Sequence, residues 1–84
     1  PLSIGEALIL GLPVVATDNQ GANDILQHGD YGLLVDNSIS GLLSGMLRAI
    51  NDSTFLPEYT ARAIQGSAQF DSEKIIDSFL AVID

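Results

Sequence analysis

The first ten residues place apolar side chains on most faces of a helix, with Glu6 as their only charge. Proline suits the first position of a helix because it has no N–H to leave unpaired, so the pattern predicts a helix that starts at Pro1. Gly11 supplies a left-handed C-cap, and Pro13 prevents continuation. A helix that is apolar on most faces is usually buried on most faces, so we expect this one inside a larger structure.

Two short aliphatic runs follow, and each is bounded by turn residues. Residues 14–17, Val-Val-Ala-Thr, predict a buried strand, and residues 33–35, Leu-Leu-Val, predict a second short strand. Between them, residues 22–27 predict a short helix with Gly21 or Asn23 near its start. A strand, a helix and a second strand in this order are typical of a βαβ unit with parallel strands.

The rest of the chain follows a helical periodicity. Ser38 is a good N-cap for a helix over residues 39–50, in which apolar residues recur every three or four positions. Two glycines weaken that helix, so packing must stabilise it. A weaker helix is expected over residues 55–66, and a final amphipathic helix after Asp71. The predicted order is αβαβααα, an α/β fold with a parallel sheet.

Composition narrows the class of protein. Hydrophobic residues make up 46% of the 84 residues and charged residues 17%, which is too apolar for a disordered chain. Eleven acidic residues against three basic ones give a net charge of −8, so a nucleic acid is an unfavourable partner. With no cysteine and one histidine, a disulfide scaffold and a thiolate or multi-histidine metal site are excluded within the chain. Its apolar runs are far shorter than the roughly 20 residues that span a bilayer.

Few residues indicate chemistry. There is no Gly-x-Ser-x-Gly elbow and no glycine-rich phosphate loop. We interpret His28 as a surface turn residue, and the aspartates at positions 18, 24, 30 and 36 as turn and cap residues. The polar loop over residues 18–21 follows the first strand, at the edge where open α/β sheets bind ligands. Glu6 is the only charge in the first seventeen residues, so it either faces solvent or has a buried hydrogen-bond partner.

Three consecutive segments carry a more specific pattern: PLSIGEALILGLPVVATD over residues 1–18, NQGANDIL over 19–26 and HGDYGLLV over 28–35. Together they resemble the signature of retaining glycosyltransferases of the GT-B fold, in particular the large family 4, which uses nucleotide-activated sugars. Beyond Ser38 the likeness is limited to the helical pattern and to Phe-Asp-Ser-Glu at residues 70–73. The resemblance is therefore specific over the first 35 residues.

The resemblance implies that residues 1–84 are the later part of a C-terminal, nucleotide-sugar-binding domain with a Rossmann-like sheet. The N-terminal acceptor domain and the first half of this domain would be absent, as expected for a chain that starts at Pro1 inside a helical pattern. Glu6 matches the second glutamate of the family's pair, which accepts hydrogen bonds from the ribose hydroxyls; the first would lie just upstream. The amides of Leu2 and Ser3, with the Ser3 hydroxyl, would bind the diphosphate at the helix N-terminus.

Such an enzyme transfers a hexose from a nucleotide sugar to a glycan or lipid-linked acceptor, with retention, in polysaccharide or glycoconjugate synthesis. The resemblance implies no metal or other cofactor and assigns no catalytic residue to these 84 residues. The three basic residues lie away from the motif in the sequence: Arg48, Arg62 and Lys74. The resemblance further implies a cytoplasmic protein, and any attachment to a membrane would be made by parts of the full-length protein outside these 84 residues. The alternatives are a non-catalytic, GT-B-like accessory or scaffolding subunit and an unrelated α/β domain.

The isolated chain is expected to be inactive and to self-associate. It would lack the acceptor half of the cleft, and positioning of two substrates supplies much of the rate enhancement. The first helix, both strands and the final helix are apolar enough for the interior of a larger sheet, so bare edges and faces should attract a second copy. The net charge of −8 opposes this pairing at low salt.

Overall fold

A computed structural model describes residues 3–70 of the protein. These residues form four helices and two strands, in the order α1 (Ile4–Ile9), β1 (Val15–Thr17), α2 (Gln20–Ile25), β2 (Leu33–Val35), α3 (Ile39–Asn51) and α4 (Phe55–Ser67). The first six predicted elements are present in the predicted order. The helix predicted after Asp71 lies outside the described residues.

The two strands pair in parallel, from Val15 opposite Leu33 to Thr17 opposite Val35. Beyond the last pair, the Asp18 amide donates a hydrogen bond to the Val35 carbonyl at 2.7 Å. Parallel strands cannot be joined by a tight turn, and α2 lies in the crossover connection between them. This βαβ unit confirms the predicted α/β fold class and forms part of a Rossmann-like parallel sheet.

One face of the sheet carries the core. Leu8 of α1, Leu26 after α2 and Ala63 of α4 are completely buried, and Ala16 and Leu34 of the strands pack against them. Side chains alternate between the two faces of a strand, so neighbouring strand residues point to the other side. Helices α1, α2 and α4 therefore cover the same face of the sheet.

Helix α3 covers the opposite face, and it approaches the strands through a glycine. Gly45 is the buried residue of α3, and a Cβ at this position would lie 2.7 Å from Cγ1 of Val35 and 2.9 Å from Cγ1 of Val15. A larger residue would therefore push the helix away from the sheet. The glycine that weakens the isolated helix permits the packing that stabilises it.

The end of α1 has the predicted cap. Gly11 has a φ of 71°, and its amide donates to the Leu8 carbonyl at 3.0 Å. The Leu12 amide donates to the Ala7 carbonyl at 2.9 Å, which completes a Schellman motif. The left-handed C-cap at Gly11 is confirmed, and it turns the chain toward β1.

Helix α2 begins earlier than predicted. It starts at Gln20, and Asn19 is its N-cap, with Oδ1 accepting a hydrogen bond from the Ala22 amide at 2.9 Å. Gly21 lies near the start as predicted, but the helix begins two residues before the predicted position 22, because Asn19 already satisfies an amide of the first turn. The helix consequently begins almost directly at the carboxyl end of β1.

Contacts around Tyr59 join the end of α3 to α4. The Tyr59 ring stacks on Phe55 with centroids 4.6 Å apart. The guanidinium carbons of Arg48 and Arg62 lie 5.6 and 5.2 Å from the Tyr59 centroid, within the range of cation–π attraction. Glu58 pairs with both arginines, at 3.9 and 3.1 Å respectively. Phe55, Glu58, Tyr59 and Arg62 all belong to α4, so Arg48 joins α3 to it through the cation–π contact with Tyr59 and the ion pair with Glu58.

Six large apolar side chains of α3 remain exposed, five of them on the side of the helix turned away from Gly45 and Leu42 nearer to the sheet. Ile39 is 89% exposed and Ile50 76%, and the other four lie between 39% and 54%: Leu42, Leu43, Met46 and Leu47. The bare helix face was expected on the first helix, but α1 packs against α4 and buries Ala7 and Leu8. None of the helices within residues 3–70 has the length and apolar character needed to cross a membrane.

Candidate functional site

The first predicted site residues lie where α1 begins. Ser3 has an extended backbone and acts as the N-cap, so the helix starts at Ile4 and not at Pro1 as predicted. Pro1 and Leu2, the latter a predicted diphosphate donor, lie outside the described residues. The corrected start places Glu6 in the first turn of the helix, where the sequence pattern had suggested its middle.

Ser3 and Glu6 are joined by two hydrogen bonds. The Ser3 hydroxyl accepts from the Glu6 amide at 3.2 Å and donates to Oε1 of the Glu6 carboxylate, also at 3.2 Å. A serine N-cap followed three residues later by glutamate is the pattern of a capping box, with the carboxylate here held by the hydroxyl. The Ser-x-x-Glu spacing is the sequence signal that locates this helix start, and it outweighs the proline two residues earlier.

The Glu6 side chain is half-buried, and its partner lies at the surface. The sequence left two alternatives for Glu6, exposure to solvent or a buried hydrogen-bond partner. The structure matches neither, because the side chain is half-buried and its partner is exposed. An ionised carboxylate offers about four acceptor positions, and the Ser3 hydroxyl uses one of them. Within residues 3–70 no other group donates a hydrogen bond to this carboxylate. It therefore retains acceptors for a ligand with neighbouring hydroxyls.

A cavity of about 400 Å³ lies at the carboxyl end of β1. It is lined by residues of the β1–α2 loop, α2 and the turn after it, all with polar side chains: Asp18, Asn19, Gln20, Asn23, Asp24 and His28. Ligands of open α/β sheets bind at this edge, so the location agrees with the edge predicted from the sequence. Three residues of the 18–21 loop thus line this cavity: Asp18, Asn19 and Gln20.

Side-chain amides organise this cavity. The Asn23 amide nitrogen donates to Oδ1 of Asp18 at 2.9 Å, and the Asn19 amide nitrogen donates to the Thr17 carbonyl at 3.3 Å. Oδ1 of Asn23 is buried and has no partner among the described residues. The two residues before α2 are therefore held by Asn23 of the helix and by the end of β1.

His28 belongs to a left-handed turn at the rim of this cavity. Gln27, His28 and Gly29 have φ values of 50°, 58° and 101°, and two of them are not glycine. The imidazole is exposed, as expected for a turn residue. Asp18 and Asp24 share the cavity, but residues 3–70 contain no group of three or more histidine or acidic side chains that could hold a metal ion.

A larger cavity, of about 570 Å³, lies between α4 and the turn before β2, and it is lined by Asp30, Tyr31, Arg62 and Gln65. The positively charged residue of this cavity, Arg62, already has partners within the protein. It donates to the carbonyls of Gly29 and Asp30 at 3.4 and 3.1 Å, and it pairs with Glu58 at 3.1 Å. This arginine, distant from the motif in sequence, contacts the motif in the fold. It acts there as a clamp on the turn, so the smaller cavity at the sheet edge is the better candidate site.

Glu6 and the edge cavity lie on neighbouring elements. Helices α1 and α2 contact each other on the same face of the sheet. Neither Ser3 nor Glu6 lines the edge cavity, however. The structure thus brings the residues of the 18–21 loop together with Asp24 and His28, and places the Ser3–Glu6 pair on the adjacent helix.

A protein-family model described as Glycosyl transferases group 1 matches residues 1–52. The matched segment includes Ser3, Glu6 and the whole βαβ unit, and it extends past Val35 through α3. No curated protein and no solved structure matches the chain. A match over more than half of the chain excludes an unrelated α/β domain: the chain belongs to the glycosyl transferases group 1 family.

Proposed function

We propose that these residues are the later part of the donor-binding domain of a retaining GT-B hexosyltransferase of family 4. The full-length protein, called the parent below, transfers a hexose from a nucleotide sugar to a glycan or lipid-linked acceptor in polysaccharide or glycoconjugate synthesis. It works in the cytoplasm. The family match supports glycosyl transfer in general, and the sequence motif around Glu6 supports the finer assignment.

The observation that carries the proposal is the state of the Glu6 carboxylate. It is half-buried in the first turn of α1, and among residues 3–70 its hydrogen-bond donor is the Ser3 hydroxyl. A carboxylate with free acceptors matches the vicinal diol of a ribose, because two acceptors face two donors. We assign the ribose of the donor to Glu6.

The connectivity of the fold supports this assignment. Helix α1 leads into β1 through a short connection and packs on the sheet. A helix and a strand joined in this way run antiparallel, which directs the first turn of α1 toward the carboxyl ends of the strands. Glu6 would then face the edge where the cavity at Asp18 opens.

The diphosphate is assigned to the amides of Leu2 and Ser3, with the Ser3 hydroxyl as a further donor. That hydroxyl is already shared with Glu6, as donor to Oε1 and as acceptor from the amide. Binding of the diphosphate would redirect the hydroxyl proton away from Glu6 and leave both carboxylate oxygens for the ribose. One movement of a hydroxyl would thus couple the two subsites.

No metal or other cofactor is proposed, and no catalytic residue is assigned to these 84 residues. The partners are a nucleotide-sugar donor, a glycan or lipid-linked acceptor and, for the isolated chain, a second copy of itself. The isolated chain should show no sugar transfer, because it would lack the acceptor half of the cleft. Transfer by the purified 84 residues would contradict the domain assignment.

Titration of the parent with a panel of nucleoside diphosphates and nucleotide sugars tests the donor assignment. Glu6→Gln should weaken the preferred nucleotide by about 5- to 150-fold, equivalent to about 1–3 kcal/mol for a lost charged hydrogen bond. Glu58→Gln on α4 is the matched control, because it makes the same substitution at a position outside both proposed donor subsites. Unchanged nucleotide affinity in the Glu6→Gln variant would refute the ribose role.

A non-catalytic accessory subunit is the second candidate, and the Ser3–Glu6 pair favours it in one respect. The capping bond gives Glu6 a structural role that needs no ligand. If that were its whole role, Glu6→Gln would lower the stability of the parent and leave nucleotide affinity unchanged. A glutamate just upstream of Pro1 in the parent would favour the enzyme.

A further inference from the structure

We infer that the exposed apolar stripe of α3 is a self-pairing surface, on which two copies of the chain associate through antiparallel α3 helices about a two-fold axis. The stripe consists of the six exposed residues of α3: Ile39, Leu42, Leu43, Met46, Leu47 and Ile50. The inference deepens the self-association proposed for the isolated chain, and it depends on no step of the sugar transfer.

The order of residues along α3 is symmetric about the middle of the helix. Reading inward from both ends, Ile39 corresponds to Ile50, Leu42 to Leu47 and Leu43 to Met46. An antiparallel two-fold arrangement therefore sets every apolar side chain of one stripe opposite an apolar side chain of the other. Interfaces of two-fold dimers are made by one patch that is complementary to itself, and this stripe has that property.

The position of the stripe on the helix agrees with a helix pair. Ile39, Leu43, Met46 and Ile50 recur at intervals of four, three and four residues, which follow one line along a helix. Leu42 and Leu47 flank this line on its two sides. Gly45 holds the opposite side of α3 on the sheet, so the stripe faces outward without disturbing the fold. This is the spacing of a seam between two packed helices.

The charge distribution favours a second copy of the chain, and not a membrane surface, as the partner that covers the stripe. The stripe carries no charged residue, and the one charged residue of α3, Arg48, is paired with Asp52 and Glu58. The net charge of −8 therefore lies outside the contact, where salt screens it. A chain with eleven acidic and three basic residues is repelled by anionic lipid surfaces, and a helix that lies on such a surface needs basic flanks.

The area is sufficient for a specific interface. Covering the six side chains on both copies removes on the order of 1,000 Å² of surface from water, the lower limit for a biological interface. Antiparallel helices also set the N-terminus of each next to the C-terminus of the other, which their dipoles favour. We therefore expect a dimer at micromolar concentration and physiological salt.

Disulfide trapping in the full 84-residue chain tests the geometry, since the chain contains no cysteine. Ile39→Cys and Ile50→Cys are both at exposed positions, and an equimolar mixture should form a mixed disulfide dimer on mild oxidation. Either variant alone should not cross-link through the stripe, because equivalent positions lie about 16 Å apart along antiparallel helices, beyond the Cα separation of about 7 Å that a disulfide can bridge. Cross-linking of each variant with itself, or none in the mixture, would overturn the arrangement.

Sedimentation of the same chain tests the surface. The unsubstituted chain should be a dimer, and Leu43→Glu should weaken the dimer at least 10-fold while the helical circular dichroism is kept. Ile64→Glu on α4 is the matched control, because Ile64 is similarly exposed and the charge change is equal. A monomeric unsubstituted chain, a dimer insensitive to Leu43→Glu, or equal weakening by Ile64→Glu would overturn the inference. Binding of the unsubstituted chain to phosphatidylserine vesicles in place of dimer formation would overturn it as well.

Discussion

The Ser3 hydroxyl lies 3.2 Å from both the amide nitrogen and the Oε1 of Glu6, so one serine caps α1 and holds the carboxylate proposed to bind the donor. The arrangement ties local stability to function in a single contact. The capping role depends on the hydroxyl, whereas the ribose role depends on the carboxylate. Substitutions at the two positions therefore separate the roles.

Ser3→Ala removes the N-cap of α1. We expect the free energy of unfolding to fall by about 1 kcal/mol, because an amide of the first turn loses its acceptor. Urea unfolding at a fixed protein concentration measures the change, since pairing of copies shifts the apparent stability. Ser3→Asn should retain most of the stability. Equal stability of the alanine variant and the unsubstituted chain would mean that Ser3 does not cap the helix.

Gly45→Ala should destabilise the fold although alanine favours helices. The added Cβ would lie within 3 Å of methyl carbons of Val15 and Val35, and overpacking of this kind costs about 1–3 kcal/mol. The helical preference of alanine over glycine offsets only about 1 kcal/mol of that cost. Ser44→Ala on the exposed side of α3 is the control and should be neutral or stabilising. A stabilised Gly45→Ala variant would show that α3 does not approach the sheet this closely.

Local signals predicted most of the fold. The strands, the Gly11 C-cap and the Ser38 N-cap depend on a few adjacent residues, and the structure confirms the presence of each. The first strand begins at Val15 and is half-buried, not buried as predicted, because the sheet of the described residues has only two strands. The start of α1 was missed because Pro1 fits the first position of a helix, while the stronger Ser-x-x-Glu signal begins two residues later. Which of the two signals sets the start of the helix depends on the Ser3–Glu6 hydrogen bonds, which are seen only in the structure.

Long-range relationships could not be read in the same way. Arg62 contacts the carbonyls of Gly29 and Asp30 across more than thirty residues, and no spacing in the sequence indicates that contact. The periodicity of α3 predicts an apolar stripe, but not that Gly45 faces the sheet and the stripe faces solvent. The cavity at the edge of β1 likewise depends on α2 starting at Gln20. These features arise from packing between elements.

Arg62→Ala should loosen the turn before β2. The side chain donates to two backbone carbonyls and to Glu58, and its loss leaves those acceptors without a donor from α4. We expect a loss of about 1–2 kcal/mol in the free energy of unfolding. Arg48→Ala, which breaks longer surface ion pairs, should cost less than about 1 kcal/mol. Faster amide hydrogen exchange at residues 29–31 in the Arg62→Ala variant would show that the turn before β2 is the part that loosens. Equal losses of unfolding free energy in the two variants would contradict a specific role of Arg62 in holding this turn.

The stability of the connection between α3 and α4 should depend on pH in the acid range. The Thr54 hydroxyl donates to Oδ1 of Asp52 at 2.6 Å, and this bond, aided by the Thr54 amide and by Arg48, lowers the pKa of Asp52 below its ordinary value of 3.8. Because the folded pKa is the lower one, the stabilisation is present above the unfolded pKa and is lost as the pH falls through the folded value. Asp52→Asn and Thr54→Ala should both flatten the dependence of the urea midpoint between pH 5 and pH 3. If the urea midpoint of both variants depends on pH as steeply as that of the unsubstituted chain, the lowered pKa of Asp52 is not the cause of the pH dependence.

The most direct measurement of the central claim is a binding cycle on the parent, with the preferred nucleotide sugar and its 2′,3′-dideoxy analogue as ligands. Isothermal titration calorimetry gives the affinity of each ligand for the unsubstituted protein and for the Glu6→Gln variant. If Glu6 holds the ribose diol, loss of the two hydroxyls should cost about 1–3 kcal/mol in the unsubstituted protein and much less in the variant, because the two changes remove the same contact. An equal cost of the missing hydroxyls in both proteins would contradict the account.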